Sequence, residues 1–167
     1  LVGSEMCKET AIQTPALQLI DQTLIDTTNT TDGRAIITLP PQEGKSQRVS
    51  RRYPLWTLTH NPNTRIAIVS YSHAVARRWG RTIRDDITTH PDLGLTIRPD
   101  LSAQHEWQLA EAQGGVYTTG IGGSLTGRPV DLLIIDDPIK DREQADSTIY
   151  RNRVWDWWTD VASTRLA

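Results

Sequence analysis

The chain has 167 residues, of which 37% are hydrophobic and 23% charged, and this composition suits one domain with a substantial core. Its formal net charge of −2 excludes a general attraction to nucleic acid, so any such contact has to come from local clusters of arginine. The single cysteine, Cys7, excludes a disulfide framework and a zinc site made of thiolates, and it fits a reducing cytoplasm.

No stretch approaches the ~20 apolar residues that a membrane span needs, and no signal peptide is evident. We therefore expect a cytoplasmic protein with no membrane partner. The first 14 residues carry no periodic pattern, and we expect them to be disordered. From Pro15, the spacing of Leu17, Ile20 and Leu24 predicts a helix, which the turn-forming residues 26–33 end.

An apolar run, residues 35–39, then predicts a strand that leads into a tight loop ending in Gly-Lys-Ser. Such a loop points backbone N–H groups at phosphate oxygens, while Lys45 adds positive charge and Ser46 offers a hydroxyl to Mg²⁺. The match is partial, because Leu39 stands where the consensus has glycine, and an ordinary strand-to-helix turn is the alternative. The residues expected to bind the nucleotide are Pro41, Gln42, Glu43, Gly44, Lys45 and Ser46.

A short helix is predicted from Lys45, and Pro54 should end or kink it. Its arginines, Arg48, Arg51 and Arg52, are expected to face solvent.

Residues 65–70 form a β-branched run that predicts a second buried strand. Ser72 is then a suitable N-cap for a helix whose apolar face comprises Ala76, Trp79, Ile83 and Ile87. An arginine stripe of Arg77, Arg81 and Arg84 runs beside that face. It indicates either contact with a DNA backbone or a solvated helix flank.

Short strands are predicted near residues 95–98 and 107–109, and six glycines follow within residues 114–128. Glycine at this density indicates either a backbone that approaches a ligand closely or a strand with flexible flanks.

A closing helix is predicted after Ser147, with an apolar stripe of Val154, Trp158 and Val161. The neighbouring Trp155 and Trp157 are expected in a core or an interface.

Four bulky apolar residues, 132–135, predict a central parallel strand, and ligands in such sheets bind beyond the carboxyl ends of the strands. Two acids stand at that end. Asp136 is suited to holding hydrated Mg²⁺, and Asp137 to orienting the attacking water. The alternative is that they cap the next helix. Phosphate binding needs the lysine and the metal, and the metal needs a carboxylate, so the two motifs support each other.

This combination resembles the ATPase domain of the large terminase subunit of tailed bacteriophages, especially phages of actinobacteria. The likeness runs from about Pro15 to the end of the chain. It is carried by Pro40-Pro41-Gln42-Glu43-Gly44-Lys45-Ser46, Ser70-Tyr71-Ser72, residues 122–128, Ile134-Ile135-Asp136-Asp137-Pro138-Ile139-Lys140, Trp157 and Thr164-Arg165-Leu166.

The resemblance implies a P-loop NTPase of the RecA-like (ASCE) class, with a mainly parallel sheet and helices on both faces. Lys45 and Ser46 would take the Walker A role and Asp136 the Walker B role, while Asp137 would stand where these motors carry a catalytic glutamate. Catalysis would then fall to Lys45, Asp136 and Asp137, and the metal ligands would be Ser46 and Asp136.

The implied function is ATP- and Mg²⁺-dependent packaging of double-stranded DNA into a procapsid. The implied partners are the portal protein, the small terminase subunit and further copies in a ring. Gln42 stands where many relatives have an arginine, so the catalytic arginine has to come from elsewhere, such as Arg128 or a neighbouring subunit. We expect residues 15–167 to be an ATPase portion cut short before the coupling motif and nuclease domain, and no nuclease activity is expected of it.

Two other functions stay open at this point. A helicase-like DNA translocase shares both nucleotide motifs. A nucleotide-binding assembly module would bind ATP without hydrolysing it alone.

Overall fold

The structure is a computed structural model, which describes residues 13–166. They divide into two compact units, a smaller one that ends at Trp56 and a larger one that begins at Thr57. Most of the stretch predicted to be disordered, with Cys7, lies outside the described residues. None of the described helices combines the length and the apolar character that crossing a bilayer requires.

The smaller unit begins with the predicted helix, α1 (Pro15–Thr28). Thr14 caps it, because its side chain accepts a hydrogen bond from the Leu17 N–H, and the predicted apolar residues Leu17, Ile20 and Leu24 are buried. The helical spacing in the sequence is therefore confirmed.

The strand predicted for residues 35–39 is wrong. This segment has no regular secondary structure, and Ile36 is 95% exposed. A strand needs a partner for its backbone N–H and C=O groups, and the described residues of the smaller unit include no strand. The apolar run alone therefore does not form a strand.

The helix predicted from Lys45 is present but does not end at Pro54. After Lys45 and Ser46 the chain forms a π-helical segment, Gln47–Arg52, and continues directly into α2 (Tyr53–His60). At the junction the Tyr53 N–H donates to the Arg48 carbonyl, five residues earlier. The wider winding relieves the clash that a proline ring makes with the carbonyl four residues back, so the helix passes through Pro54.

Arg48 does not face solvent as predicted. It is buried, and its Nη1 donates to Asp21 Oδ2 at 3.1 Å while Nη2 donates to the side chain of Gln13. A buried guanidinium requires such partners, and the carboxylate comes from α1, 27 residues away in the sequence. The local pattern around Arg48 therefore gave no sign of its burial.

The larger unit is an α/β structure around a five-stranded mixed sheet in the order β2-β3-β4-β1-β5. The α/β prediction is confirmed, and the sheet is parallel at β4, β1 and β5 but antiparallel at β2 and β3. The prediction of short strands near residues 95 and 107 corresponds to β2 and β3. The strands are β1 (Arg65–Ser70), β2 (Ile97–Ser102), β3 (Glu106–Leu109), β4 (Gly115–Gly120) and β5 (Leu132–Asp136).

Strand β1 lies at the centre of the parallel part, with β4 on one side and β5 on the other. The prediction that residues 132–135 form a central strand is therefore wrong: β5 is the last strand in the order of the described sheet, and Ile135 is 37% exposed. The apolar residues of β1 are buried on both faces, as its continuous β-branched run predicts. Its last residue, Ser70, is in register with Gly120 of β4 and with Asp136 of β5. The three parallel strands therefore end together at one edge of the sheet, here called the carboxyl edge.

Helix α3 (His73–Thr89) covers one face of the sheet. Ser72 caps it, with its side chain accepting from the Val75 N–H, and all four residues of the predicted apolar face are buried. The contact is close, because a Cβ at Gly80 would lie 2.7 Å from Cγ2 of Thr118 on β4. Trp107 of β3 also donates its indole N–H to the Gly80 carbonyl at 2.9 Å.

The other face packs against α5 (Thr148–Trp157) and a π-helical segment, Trp158–Ala162, while the short helix α4 (Arg142–Asp146) contacts α5. Ser147 caps α5 as predicted. Trp157 is buried in a cluster with Ala67 and Val69 of β1, whereas Trp155 is 64% exposed. Core packing is thus confirmed for Trp157. Trp155 does not lie in the core, and an interface stays a prediction for it.

The amino ends of β1 and β5 are joined by one ion pair. The backbone N–H and Nε of Arg65 both donate to Asp131 Oδ2 at 2.8 Å, and Nη2 donates to Oδ1 at 2.6 Å. Hydrogen bonds from Arg65 lower the pKa of Asp131 below its ordinary value. The pair therefore stabilises the fold above the unfolded-state pKa of about 4, and this stability is lost as the pH falls through the lowered pKa of the folded state.

Replacing Asp131 by alanine should lower the free energy of unfolding by about 1 kcal/mol at pH 7, because three hydrogen bonds at a partly exposed position are lost. At pH 2 the difference from the wild type should nearly vanish. Urea unfolding at both pH values measures this. Asp100→Ala, which removes an exposed pair with Arg98 on β2, is the control and should have a smaller effect. An equal loss at both pH values would contradict the assignment.

Candidate functional site

The Gly-Lys-Ser loop lies in the smaller unit and has the backbone of a tight turn. Gly44 has φ of 85° and Gln42 has φ of 68°, whereas Leu39 is not among the residues with positive φ. The backbone therefore does not require glycine at Leu39, where the consensus has one. Helical winding begins at Lys45, and the Arg48 N–H donates to the Gly44 carbonyl at 3.1 Å. The loop thus leads directly into a helix, although the predicted strand before it is absent.

The two aspartates lie at the end of β5 in the larger unit and differ in exposure. Asp136 is 6% exposed, while Asp137 is exposed and has φ of 48°, which is uncommon for a residue other than glycine and is best tolerated by asparagine and aspartate. The Asp137 carbonyl accepts from the Tyr71 N–H at 3.1 Å, so this turn is held to the end of β1. One carboxylate is therefore buried in the carboxyl edge and the next faces outward.

Ser70 is a residue of this edge that sequence reasoning did not assign to the site. It lies beside Asp136 in the register, its side chain is completely buried, and its Oγ has no hydrogen-bond partner among the described residues. Buried hydroxyls usually have a partner, so this one is a donor or acceptor available to a bound group. The feature of the sequence that could have indicated this residue is that a serine ends the apolar run of β1.

The glycine-rich run of residues 114–128 includes β4, and its remaining part, residues 121–128, follows β4 at the same edge. This part is here called the glycine-rich segment. The Ile121 N–H donates to the Ser70 carbonyl at 2.9 Å, and the Gly123 N–H donates to the Gly120 carbonyl at 2.8 Å. A Cβ at Gly120 would lie 2.8 Å from the His73 backbone nitrogen, so the strand end and the start of α3 approach closely. The glycines therefore serve close packing in the strand and, at Gly122 with φ of 84°, a tight turn after it.

Within residues 13–166 there is no group of three or more His, Cys, Asp or Glu side chains that could hold a metal ion. Mg²⁺ does not need one, because it retains several waters and takes one or two protein ligands together with substrate phosphates. Of the two predicted ligands, Ser46 belongs to the smaller unit and Asp136 to the larger one. Both are oxygen donors of the kind that Mg²⁺ prefers.

The arginine stripe of α3 is only partly available to DNA. Arg81 and Arg84 both pair with Asp85, and Arg84 also donates to the Ser102 carbonyl at 2.9 Å. Arg77 is exposed. Because Asp85 pairs with two of the three arginines, the structure favours the alternative of a solvated helix flank. Contact with DNA stays a prediction.

Arg128, the other arginine considered for catalysis, has structural partners. Its guanidinium donates to both carboxylate oxygens of Glu106 and lies 4.2 Å from the ring centre of Tyr117. The same side chains line a cavity of about 260 Å³ with Arg65, at the start of β1. Arg128 is therefore explained by packing across β3 and β4, away from the carboxyl edge.

Comparison with protein-family models gives no match for this chain, and comparison with curated proteins gives no significant match.

Proposed function

We propose that this chain is the ATP-hydrolysing motor domain of a large terminase, with the P-loop, RecA-like arrangement. The observation that carries the proposal is the acid pair at the carboxyl end of β5, where Asp136 is buried and Asp137 is exposed. That is the edge at which ligands of parallel sheets bind. The Gly44-Lys45-Ser46 loop, which leads into a helix, supports it with the charge and hydroxyl that a nucleotide needs.

In this proposal Lys45 neutralises the outer phosphates, and Ser46 and Asp136 hold Mg²⁺. The metal, when bound, would supply positive charge to the phosphate oxygens. Asp137 accepts a hydrogen bond from the attacking water and aligns it with the γ-phosphorus. The bond to the β-phosphate oxygen breaks as the water adds, and ADP and inorganic phosphate are released. The protein contributes position and charge and forms no covalent intermediate.

The proposal also includes partners, namely double-stranded DNA, the portal protein and the small terminase subunit. It further includes a ring of copies of this chain and a location in the host cytoplasm. They rest on the resemblance to terminases. DNA has the further support of Arg77, which is exposed on α3.

Lys45→Ala tests the nucleotide claim directly. The loss of a charge-assisted contact worth about 1.5–3 kcal/mol should weaken binding of a non-hydrolysable ATP analogue by about 10- to 150-fold. Equilibrium binding of a fluorescent analogue in the presence of Mg²⁺ measures this. Arg98→Ala, which removes a different exposed cation on β2, is the matched control and should bind as the wild type does. Equal affinity in the wild type and Lys45→Ala would contradict the proposal.

A further inference from the structure

Helix α5 is fixed to the glycine-rich segment at the carboxyl edge. Trp157, 5% exposed, donates its indole N–H to the Gly123 carbonyl at 2.9 Å. That segment is bonded in turn to the end of β1, since the Ile121 N–H donates to the Ser70 carbonyl. A side chain on the same face of α5 as Trp157 is therefore held close to this edge.

Arg153 is that side chain. It precedes Trp157 by four residues, which places both on one face of the helix. A Cβ added at Gly122 would lie 3.3 Å from Arg153 Nη2, so the guanidinium lies directly against the glycine turn. Arg153 is exposed, and within residues 13–166 it has neither an ion pair nor a hydrogen bond.

Most other arginines of the larger unit are held elsewhere by specific partners. Arg151, on the same helix, donates to the Ala145 carbonyl at 2.6 Å, and Arg78 lies over the Trp79 ring. Carboxylates hold six more, namely Arg65, Arg81, Arg84, Arg98, Arg128 and Arg142. Arg77, exposed in the second turn of α3, is the remaining rival near this edge.

The acids and Arg153 approach the carboxyl edge from opposite sides of β1. Asp136 and Gly120 are each in register with Ser70, so they are two strand spacings apart, about 10 Å. A phosphate bound at this edge would therefore have the acids on one side and the Gly122 turn, against which Arg153 lies, on the other.

We propose that Arg153 is the arginine that contacts the γ-phosphate and stabilises the charge that develops during hydrolysis, and that Trp157 positions it. This inference rests on the proposed ATPase function. A guanidinium suits the role because it offers several donors in a planar fork to the phosphate oxygens. It would also supply the positive charge that Gln42 does not contribute in the phosphate loop.

The test compares Arg153→Ala with Arg151→Ala and Arg77→Ala. Each variant is measured for affinity for an ATP analogue, for single-turnover hydrolysis, and for trapping of ADP with aluminium fluoride, which mimics the transferred phosphoryl group. Arg153→Ala should keep its ATP affinity within about threefold, lose hydrolysis by about 1,000-fold or more, and fail to trap ADP with aluminium fluoride. Arg151→Ala should behave as the wild type does.

Two further variants separate position from charge. Arg153→Lys keeps the charge without the fork and should recover only a minor part of the activity. Trp157→Phe keeps the apolar packing but loses the indole donor, so it should lower kcat with unchanged ATP affinity. It should add little when combined with Arg153→Ala, because both changes act through the same guanidinium.

Normal hydrolysis and trapping by Arg153→Ala would overturn this inference and leave the proposed ATPase intact. So would a loss of hydrolysis in Arg77→Ala with activity retained in Arg153→Ala. Absence of hydrolysis by the wild-type chain, with and without DNA, would instead overturn the ATPase and this inference with it.

Discussion

Replacing Asp137 by asparagine should reduce ATP turnover by about 100- to 10,000-fold while ATP affinity stays within about threefold of the wild type. In the proposed function the charge of Asp137 aligns the attacking water, and the substitution removes that charge. Its effect on the backbone should be small, because asparagine tolerates the left-handed conformation of Asp137 about as well as aspartate does. Single-turnover hydrolysis and equilibrium binding of an ATP analogue measure the two quantities separately.

Asp136→Asn is the matched comparison, one residue earlier in the chain. It should lower the affinity for the nucleotide in the presence of Mg²⁺ by at least about tenfold, and have little effect when EDTA removes the metal. Loss of Mg²⁺-dependent affinity in Asp137→Asn would move Asp137 from water alignment to metal binding. Full turnover in Asp137→Asn would remove it from the reaction.

The elements that the sequence predicts well depend on local chemistry. The buried face of α3 follows from the helical spacing of its apolar residues. The caps follow from the serines themselves, because the hydroxyls of Ser72 and Ser147 each accept a hydrogen bond from the backbone N–H three residues later. The four bulky apolar residues in a row predict that β5 is a strand, and the acid pair follows from the two residues at its end, but they do not predict its position as the last strand of the described sheet. None of these needs information from a distant part of the chain.

The features that local patterns miss depend on distant partners. Residues 35–39 have the composition of a strand but no strand to pair with in the described part of their unit. The mixed sheet depends on how β2 and β3 pair, which short apolar runs do not specify. Arg153 carries no distinguishing pattern, and the role proposed for it depends on the hydrogen bond between Trp157 and Gly123. The sequence therefore suggests the acids and the lysine of the proposed site, whose motifs are local, whereas the proposal for Arg153 needs the structure.

Replacing Asp21 by alanine should give the largest loss of stability, about 3–5 kcal/mol, because it leaves the buried Arg48 guanidinium without its carboxylate. The two side chains are 5% and 8% exposed, so water cannot easily replace the missing partner. The pair joins α1 to the π-helical segment that follows Lys45 and Ser46. Hydrogen exchange of the α1 amides should measure the loss as faster opening of this unit.

Two controls distinguish the buried charge from a general effect of mutation. Asp21→Leu combined with Arg48→Met removes both charges, and it should recover most of the stability, because one Asp21 oxygen already has no hydrogen-bond partner among the described residues. Arg142→Ala breaks an exposed pair on α4 and should change stability by less than about 0.5 kcal/mol. Unchanged exchange of α1 in Asp21→Ala would show that the pair does not hold the helix.

If exchange does accelerate, the affinity for ATP should fall with it, since Arg48 lies three residues after Lys45 and fixes the helix that begins there.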